Sequence, residues 1–190
     1  MARATTFPVG AVVMGAGAGK RYGEPKAGAL LPDGRRFVDA ICATAGDAGL
    51  APIVCVLPPG IATPAGTIKV ENANAEGEQV VSLRLGLAQL ANVPLVGVVV
   101  WPVDHPFVTL EAVLAILDGA RRTEAPIVAP EFEGERGHPV YFHRDTWREL
   151  MTVASGGARE VVRAYGERAA RVTVHDRGVL RDVDTRGDIG

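Results

Sequence analysis

Three short segments of this chain are apolar along their whole length, and they constrain its fold more than any other feature. They are Val9–Met14, Ile53–Leu57 and Val96–Trp101. A strand with one face in water alternates apolar and polar residues, so a continuously apolar strand indicates a sheet that is covered on both faces. Such sheets are mostly parallel, with helices packed on either side.

Strand and helix patterns alternate from one end of the chain to the other. The predicted strands are Val9–Met14, Pro52–Leu57, Thr67–Val70, Leu95–Trp101, Ile127–Ala129, Pro139–Phe142 and Ala170–Val174. The predicted helices are Arg36–Ala48, Gln79–Leu90, Leu110–Arg121, Arg144–Met151 and Ala158–Tyr165. This order predicts an α/β fold with a mostly parallel central sheet between layers of helices. The chain has 190 residues, an ordinary length for one domain, so we expect a single domain over residues 1–190.

The composition excludes several classes of protein. The net charge is −2, whereas a protein that binds nucleic acid or an anionic membrane would carry a basic excess. Cys42 and Cys55 are isolated, which suits a reducing compartment and forms no recognisable zinc motif. The N-terminal residues lack the apolar stretch of a signal peptide, and the longest apolar run, Val93–Val103, is too short to span a membrane. We therefore expect a cytoplasmic protein without nucleic-acid or membrane partners.

A glycine-rich turn with two cations follows the first predicted strand, where residues 14–26 read MGAGAGKRYGEPK. Small residues let backbone N–H groups approach phosphate oxygens closely. These candidate cradle residues are Gly15, Ala16, Gly17 and Gly19. Arg21 and Lys26 add positive charge beside them, which favours a nucleoside triphosphate as ligand. The spacing matches neither a Walker loop nor a dinucleotide fingerprint, and a purely structural turn is the alternative.

Asp104 follows the strand predicted at Leu95–Trp101, in the sequence WPVDHP. In parallel sheets, ligands bind beyond the carboxyl ends of the strands, so this carboxylate is expected near the glycine-rich turn. A carboxylate next to phosphates requires a cation between them, and Mg²⁺ is the usual one. The alternative is that Asp104 caps the following helix, although Thr109 is better placed for that role. We assign no role to His105, because a loop histidine is commonly solvated.

Together these motifs resemble the signature of the MobA-like nucleotidyltransferases. In that family a small-residue turn is followed by Gly-x-Arg, an apolar residue, Gly and Pro-Lys. The matching residues here are Gly17, Gly19, Arg21, Tyr22, Gly23, Pro25 and Lys26. The WPVDHP segment is similar to the family's Asp-x-Pro motif, whose aspartate holds magnesium. The resemblance extends from about Val9 to Asp188 and implies a three-layer α/β/α, Rossmann-like nucleotidyltransferase fold.

The resemblance also implies an activity. It is the Mg²⁺-dependent transfer of a nucleoside monophosphate from a nucleoside triphosphate to a small phosphate-bearing acceptor, with release of pyrophosphate. Arg21 and Lys26 would bind the triphosphate and the leaving pyrophosphate, and Asp104 would hold the metal. Because a phosphate acceptor has a low pKa, this reaction needs no strong general base.

An acidic pair near the C-terminus, Asp182-Val183-Asp184-Thr185, resembles the closing motif of the same family. Alternate residues of an extended segment point the same way, so both carboxylates are expected to face the site. The resemblance implies that one of them completes the metal site, and we favour Asp184 over Asp182. The alternative is that Asp184 or Thr185 only caps the next helix.

Three segments carry expectations about the substrates. Residues 72–87, NANAEGEQVVSLRLGL, resemble a family segment that recognises base and ribose, which makes Ser82 a nucleotide-binding candidate. The run Gly137-His138-Pro139-Val140 is similar to the branch of the family that transfers cytidylate to molybdopterin, so CTP is favoured and His138 is an acceptor-binding candidate. Arg159 belongs to a Gly-Ala-Arg segment of the same branch and would bind the acceptor phosphate, although a glycine replaces the branch's aspartate.

Other functions stay open at this point. The same architecture serves nucleotidyltransferases that act on sugar phosphates or on other cofactor precursors. A nucleotide-binding regulator without turnover is a second class, and a flavodoxin-like or dinucleotide-binding redox module is a third. The sequence does not define the oligomeric state.

Overall fold

A computed structural model describes residues 7–17, 19, 21–74 and 79–189. Its strands are β1 (Val9–Met14), β2 (Ile53–Leu57), β3 (Ile68–Glu71), β4 (Gly97–Pro102), β5 (Ile127–Phe132), β6 (Glu135–Arg136), β7 (Val140–His143) and β8 (Ala169–Thr173). Its α-helices are α1 (Phe37–Asp47), α2 (Gln79–Gln89), α3 (Leu110–Thr123), α4 (Trp147–Thr152) and α5 (Ala158–Tyr165). Among these described residues, no helix has the length and apolar character needed to cross a membrane.

The eight strands form one sheet in the order β3-β2-β1-β4-β7-β5-β6, with β8 also paired to β5. The pairs β2–β3, β1–β2, β1–β4 and β5–β8 are parallel. Strand β7 is antiparallel to both β4 and β5, and β6 is antiparallel to β5. All strands except β6 and β7 therefore run in one direction, and the expected mostly parallel sheet is confirmed.

Helices cover both faces of the sheet. Successive residues of an apolar strand point to opposite faces, so each strand contributes side chains to two core clusters. Val13 belongs to a core cluster shared with residues of α1 and α3, such as Phe37 and Ile116. Its neighbour Val12 belongs to a second cluster that contains Leu83 of α2 and Leu150 of α4. The strands are thus buried on both sides, which explains their unbroken apolar sequence and produces the three-layer α/β/α arrangement.

One glycine determines how closely α2 packs on this sheet. A Cβ at Gly86 would lie 2.4 Å from a side-chain methyl of Val12, so the helix could not keep this position with a larger residue. The close contact holds the N-terminal part of α2 near the carboxyl end of β1. Ser82 is thereby placed beside the glycine-rich turn.

Most element boundaries fall within a few residues of the predicted ones, with two informative differences. The segment predicted as one helix from Arg144 to Met151 begins as a 3₁₀ turn, Arg144–Thr146, before α4 starts. The hydroxyl of Thr146 donates to the carbonyl oxygen of His143, which closes that turn locally. Strand β5 continues three residues beyond the predicted Ala129 and returns through β6, a two-residue strand too short for periodicity to reveal.

Candidate active site

The site lies where β1 and β4 end side by side. These strands are parallel neighbours, and Met14 is in register with Pro102. The backbone N–H of Val103 donates to the carbonyl oxygen of Met14 at 3.0 Å. This bond joins the two segments where they leave the sheet. The glycine-rich turn and the segment that carries Asp104 therefore emerge at one edge, as the parallel order predicts.

The glycine-rich turn has a conformation that requires glycine at one position in particular. Gly19 has a φ of +59°, and a Cβ there would lie 1.9 Å from the carbonyl oxygen of Glu24. The backbone N–H of Gly23 donates to the carbonyl oxygen of Gly19 at 2.8 Å, which folds the segment back towards Lys26. Lys20 lies outside the described residues.

A cavity of about 280 Å³ opens beside this turn. It brings together most of the residues predicted for the nucleotide and the metal: Gly15, Ala16, Gly17, Gly19, Arg21, Lys26, Ser82, Asp104 and Asp184 line it. The side chains of Asn74 and Gln79 also border it, although the sequence did not single out Gln79. The predicted nucleotide segment also includes Gly77, which lies outside the described residues.

Ser82 reaches this cavity with the support of a buried amide. The Nδ2 group of Asn72 donates to the Ser82 hydroxyl oxygen at 3.1 Å. The Oδ1 atom of Asn72 accepts from the backbone N–H of Asn74 at 3.0 Å. Both Asn72 and Ser82 are buried, so this pair links the end of β3 to α2. Ser82 is the acceptor in this pair, so the bond to Asn72 does not use its hydroxyl proton.

Asp104 and Asp184 face the same ammonium. The Nζ of Lys26 lies 2.7 Å from Asp184 Oδ1 and 3.7 Å from Asp104 Oδ2. A guanidinium nitrogen of Arg21 lies 2.6 Å from the other oxygen of Asp184. The hydrogen bond from Lys26, helped by the charges of Lys26 and Arg21, lowers the pKa of Asp184. Asp184 is therefore ionised at neutral pH and pairs with both cations predicted to hold the triphosphate.

The other predicted carboxylate, Asp182, faces a different cavity. The expectation that both carboxylates share one site does not hold, because Asp184 borders the first cavity and Asp182 the second. The alternative was that Asp184 or Thr185 caps the next helix. The carboxylate of Asp184 instead pairs with Lys26 and Arg21, and the hydroxyl of Thr185 donates to Asp188. Asp188 accepts from the backbone N–H groups of Asp184 and Thr185 and holds this turn.

The second cavity, of about 770 Å³, is contiguous with the first through shared lining residues that include Asp104. Both acceptor-binding candidates, His138 and Arg159, line it. Arg136 and Arg163 add positive charge to its wall, while Val140 and Phe142 supply an apolar surface. A cavity of this size and mixed lining suits a bulky acceptor with an anionic group.

Two histidines meet in the wall of this second cavity. The rings of His105 and His138 have centroids 4.8 Å apart. Burial, followed by the neighbouring charge of His105, lowers the pKa of His138 to about 3. Burial also lowers the pKa of His105. Both rings are therefore neutral at physiological pH, and they offer hydrogen bonds rather than charge.

His105 corrects an expectation from the sequence. It was expected to be a solvated loop residue, yet it is 7% exposed and packs against His138. The chain segment after β8 lies beside this pair, because the carbonyl oxygen of Val179 accepts from the backbone N–H of His138. The residues around WPVDHP give no indication of this contact, because it involves a segment that is distant in the sequence.

The acidic residues fit a divalent cation. Asp104 Oδ1 is buried and has no hydrogen-bond partner within the described part of the chain. The same part holds no cluster of three or more His, Cys, Asp or Glu side chains arranged around a metal position. The protein thus offers two carboxylates, Asp104 and Asp184, which is typical of Mg²⁺ sites where phosphates and water supply the other ligands.

Comparisons with known proteins identify the family. Residues 11–170 match the family model of the MobA-like NTP transferase domain. Rv0371c from Mycobacterium tuberculosis H37Rv is 27% identical, with a TM-score of 0.79 and 96% of each chain covered. A structure of Rv0371c in complex with manganese is 25% identical, with a TM-score of 0.80, covering 97% of this chain and 96% of that one.

A further solved structure shares the fold. The 2-C-methyl-D-erythritol 4-phosphate cytidylyltransferase from Thermus thermophilus is 20% identical, with a TM-score of 0.67, covering 96% of this chain and 95% of that one. Among curated proteins, none matches the chain. The fold and the family model together define a nucleotidyltransferase. The chain belongs to the MobA-like NTP transferase family, which depends on divalent metal and uses a nucleoside triphosphate and a phosphate-bearing acceptor.

Proposed function

We propose that this protein is a cytoplasmic, Mg²⁺-dependent cytidylyltransferase that transfers CMP from CTP to a phosphate-bearing acceptor such as molybdopterin. The observation that carries the proposal is the position of Asp104, which borders both cavities. A nucleotide in the first cavity and an acceptor in the second would meet at this carboxylate. Direct transfer between two bound substrates requires such a meeting point.

In the proposed reaction, an acceptor phosphate oxygen forms a bond to the α-phosphorus of CTP. The bond from that phosphorus to the bridging oxygen of the β-phosphate breaks, and pyrophosphate leaves with the bond's electron pair. In reactions of this kind, most of the reduction in the activation barrier comes from alignment of the two substrates and from neutralisation of the developing negative charge.

The residues of the first cavity are assigned to the nucleotide. Lys26 and Arg21 neutralise the triphosphate and the departing pyrophosphate, and Ser82 donates to the nucleoside. The small residues Gly15, Ala16, Gly17 and Gly19 allow close approach of the phosphates. Asp104 and Asp184 would hold Mg²⁺, which would supply positive charge to offset the negative charge of the phosphates.

The residues of the second cavity are assigned to the acceptor. Arg159 would bind its phosphate, because a guanidinium can form paired hydrogen bonds to phosphate oxygens. His138 would contact the body of the acceptor as a neutral hydrogen-bonding group, consistent with its lowered pKa. The similarity of the Gly137-His138-Pro139-Val140 run to the molybdopterin branch favours CTP and molybdopterin over the alternatives.

A pyrophosphate-release screen tests the proposal. ATP, CTP, GTP and UTP are each combined with molybdopterin, 2-C-methyl-D-erythritol 4-phosphate or a panel of sugar phosphates, with Mg²⁺ or Mn²⁺. We expect release with CTP and molybdopterin. Release with another acceptor would assign the protein to a different branch of the family. Binding of CTP without release across all acceptors would contradict the enzyme assignment and favour a regulator.

A further inference from the structure

Trp101 is a core residue whose polar atom is bonded to the backbone next to Asp104. It lies near the end of β4 and is fully buried. Its indole Nε1–H donates to the carbonyl oxygen of His105 at 3.0 Å. A buried indole needs such a partner, and here the partner belongs to the residue after Asp104.

The turn that carries Asp104 is short and is held at several points. The backbone N–H of His105 donates to the carbonyl oxygen of Pro102 at 3.2 Å. The carbonyl oxygen of Asp104 accepts from the backbone N–H of Val183 at 2.8 Å. The indole of Trp101 adds a side-chain hydrogen bond from the rigid core of the sheet. The backbone on either side of the carboxylate is thus tied to neighbouring structure.

The carboxylate itself has less support from its surroundings. Asp104 Oδ1 has no hydrogen-bond partner in the described structure, although His105 Nε2 lies 3.8 Å from it, and Oδ2 lies 3.7 Å from the Lys26 ammonium. Both of these contacts exceed hydrogen-bond distance, so the hydrogen-bonded backbone of the turn contributes to the direction in which Asp104 points. Groups that orient a ligand from outside the coordination sphere contribute substantially to metal affinity.

We infer that Trp101 is a positioning residue for the divalent metal, acting through the His105 carbonyl to hold Asp104. This inference rests on the proposed function, since it takes Asp104 as a metal ligand. It assigns the indole a purpose beyond filling the core, because phenylalanine would fill most of the same space without donating a hydrogen bond.

The second tryptophan provides a matched control. Trp147 is also buried, but its Nε1 has no hydrogen-bond partner in the described structure. It lies in the core cluster on the opposite face of the sheet, and the guanidinium of Arg144 stacks on its ring at 4.2 Å. Replacement of either tryptophan by phenylalanine removes the same atoms, whereas only the Trp101 replacement removes a contact to the metal-site turn.

The first experiment compares the binding of Mn²⁺ alone to the wild-type protein, Trp101→Phe and Trp147→Phe, with free Mn²⁺ measured by electron paramagnetic resonance. We expect the Mn²⁺ dissociation constant to rise about tenfold in Trp101→Phe, at the lower end of effects from groups that support metal ligands. We expect no change in Trp147→Phe. Equal affinities for Trp101→Phe and wild type would overturn the inference while leaving the proposed function intact.

A second measurement uses the wild-type protein, so it remains informative if Trp101→Phe does not fold. The two indole N–H resonances are followed by ¹H–¹⁵N NMR during addition of Mg²⁺ alone, with Trp147→Phe used for assignment. We expect the Trp101 signal to shift and the Trp147 signal to stay in place. A Trp101 signal that does not move while Mn²⁺ binds would overturn the inference. Failure of the wild-type protein to bind either metal, both alone and with CTP present, would overturn the metal assignment and this inference together.

Discussion

The ammonium of Lys26 lies 2.7 Å from a carboxylate oxygen of Asp184, although the two residues are 158 positions apart in the chain. Arg21 contacts the other oxygen of the same carboxylate. The two cations proposed for the triphosphate are thus paired with a carboxylate of the protein itself. A divalent ion that binds Asp184 would leave Lys26 and Arg21 free to bind phosphates, so metal and nucleotide should bind cooperatively.

Replacement of Asp184 by asparagine should change CTP affinity in opposite directions with and without metal. In EDTA, CTP should bind about threefold to tenfold more tightly than to the wild type, because it no longer competes with the carboxylate for Lys26 and Arg21. With Mn²⁺ present, CTP should bind roughly tenfold or more weakly, because a metal ligand is lost. Isothermal titration calorimetry measures both affinities.

Glu24→Gln is the control for the change in net charge. Glu24 is a nearby exposed carboxylate that pairs with Arg186 rather than with the proposed triphosphate cations. Its CTP affinity should match the wild type in both conditions. Weaker binding of CTP to Asp184→Asn in EDTA would show that Asp184 does not compete with nucleotide.

Lys26→Ala should lower kcat/KM by about 100-fold or more, because the variant loses charge that is complementary to the transition state. Lys69→Ala is the matched control, since Lys69 is on the edge strand β3 and pairs with Glu71. Steady-state rates of pyrophosphate release provide the comparison. A Lys26 variant that is as active as the Lys69 variant would remove Lys26 from the site.

Arg159→Ala should raise the KM for the acceptor about tenfold or more and leave the affinity for CTP unchanged, because a charge-assisted hydrogen bond to phosphate is lost. Arg122→Ala is the control, since Arg122 is exposed on α3 and pairs with Asp118. Initial rates at varied acceptor concentration give KM, and calorimetry gives CTP affinity. A selective loss of CTP affinity would instead place Arg159 with the nucleotide.

The histidine pair predicts a specific dependence of stability on pH. The pKa of His138 is about 3 in the folded protein, against about 6.5 in an unfolded chain. As the pH falls below about 6.5, the unfolded state takes up a proton that the folded state does not, so folding stability decreases towards pH 3. His105 contributes in the same direction.

His138→Asn should therefore show a shallower loss of thermal stability between about pH 6.5 and about pH 4 than the wild type, because one of the two contributing histidines is removed. Thermal denaturation over that pH range measures the slope. An unchanged slope in His138→Asn would mean that folding does not lower the pKa of His138.

Much of the fold could be predicted from local sequence. The unbroken apolar runs predicted a covered sheet, and the structure confirms it. Thr109 was predicted to start α3, and its hydroxyl does accept from the backbone N–H of Ala112. These features depend on contacts within a few residues, which periodicity and capping chemistry report well.

Other features depend on contacts between distant segments and could not be predicted. Strand β7 lies between β4 and β5 and is antiparallel to both because of tertiary pairing. The sequence of β7 does not indicate in which direction the strand runs. The separation of Asp182 from Asp184 follows from how the C-terminal segment crosses the strand ends, where Val183 bonds to the Asp104 carbonyl. The site residues that the family resemblance singled out line the two cavities, but the resemblance did not reveal these contacts.

The central claim is that Asp104 holds a divalent cation between the nucleotide and the acceptor, and Mn²⁺ binding in the presence of CTP tests it most directly. Titration of the wild-type protein and Asp104→Asn, followed by electron paramagnetic resonance, should show one tightly bound Mn²⁺ per wild-type protein and an affinity roughly tenfold or more weaker in the variant. Thermal denaturation of both proteins establishes that the variant is folded. Equal Mn²⁺ affinity in a folded Asp104→Asn variant would contradict the account.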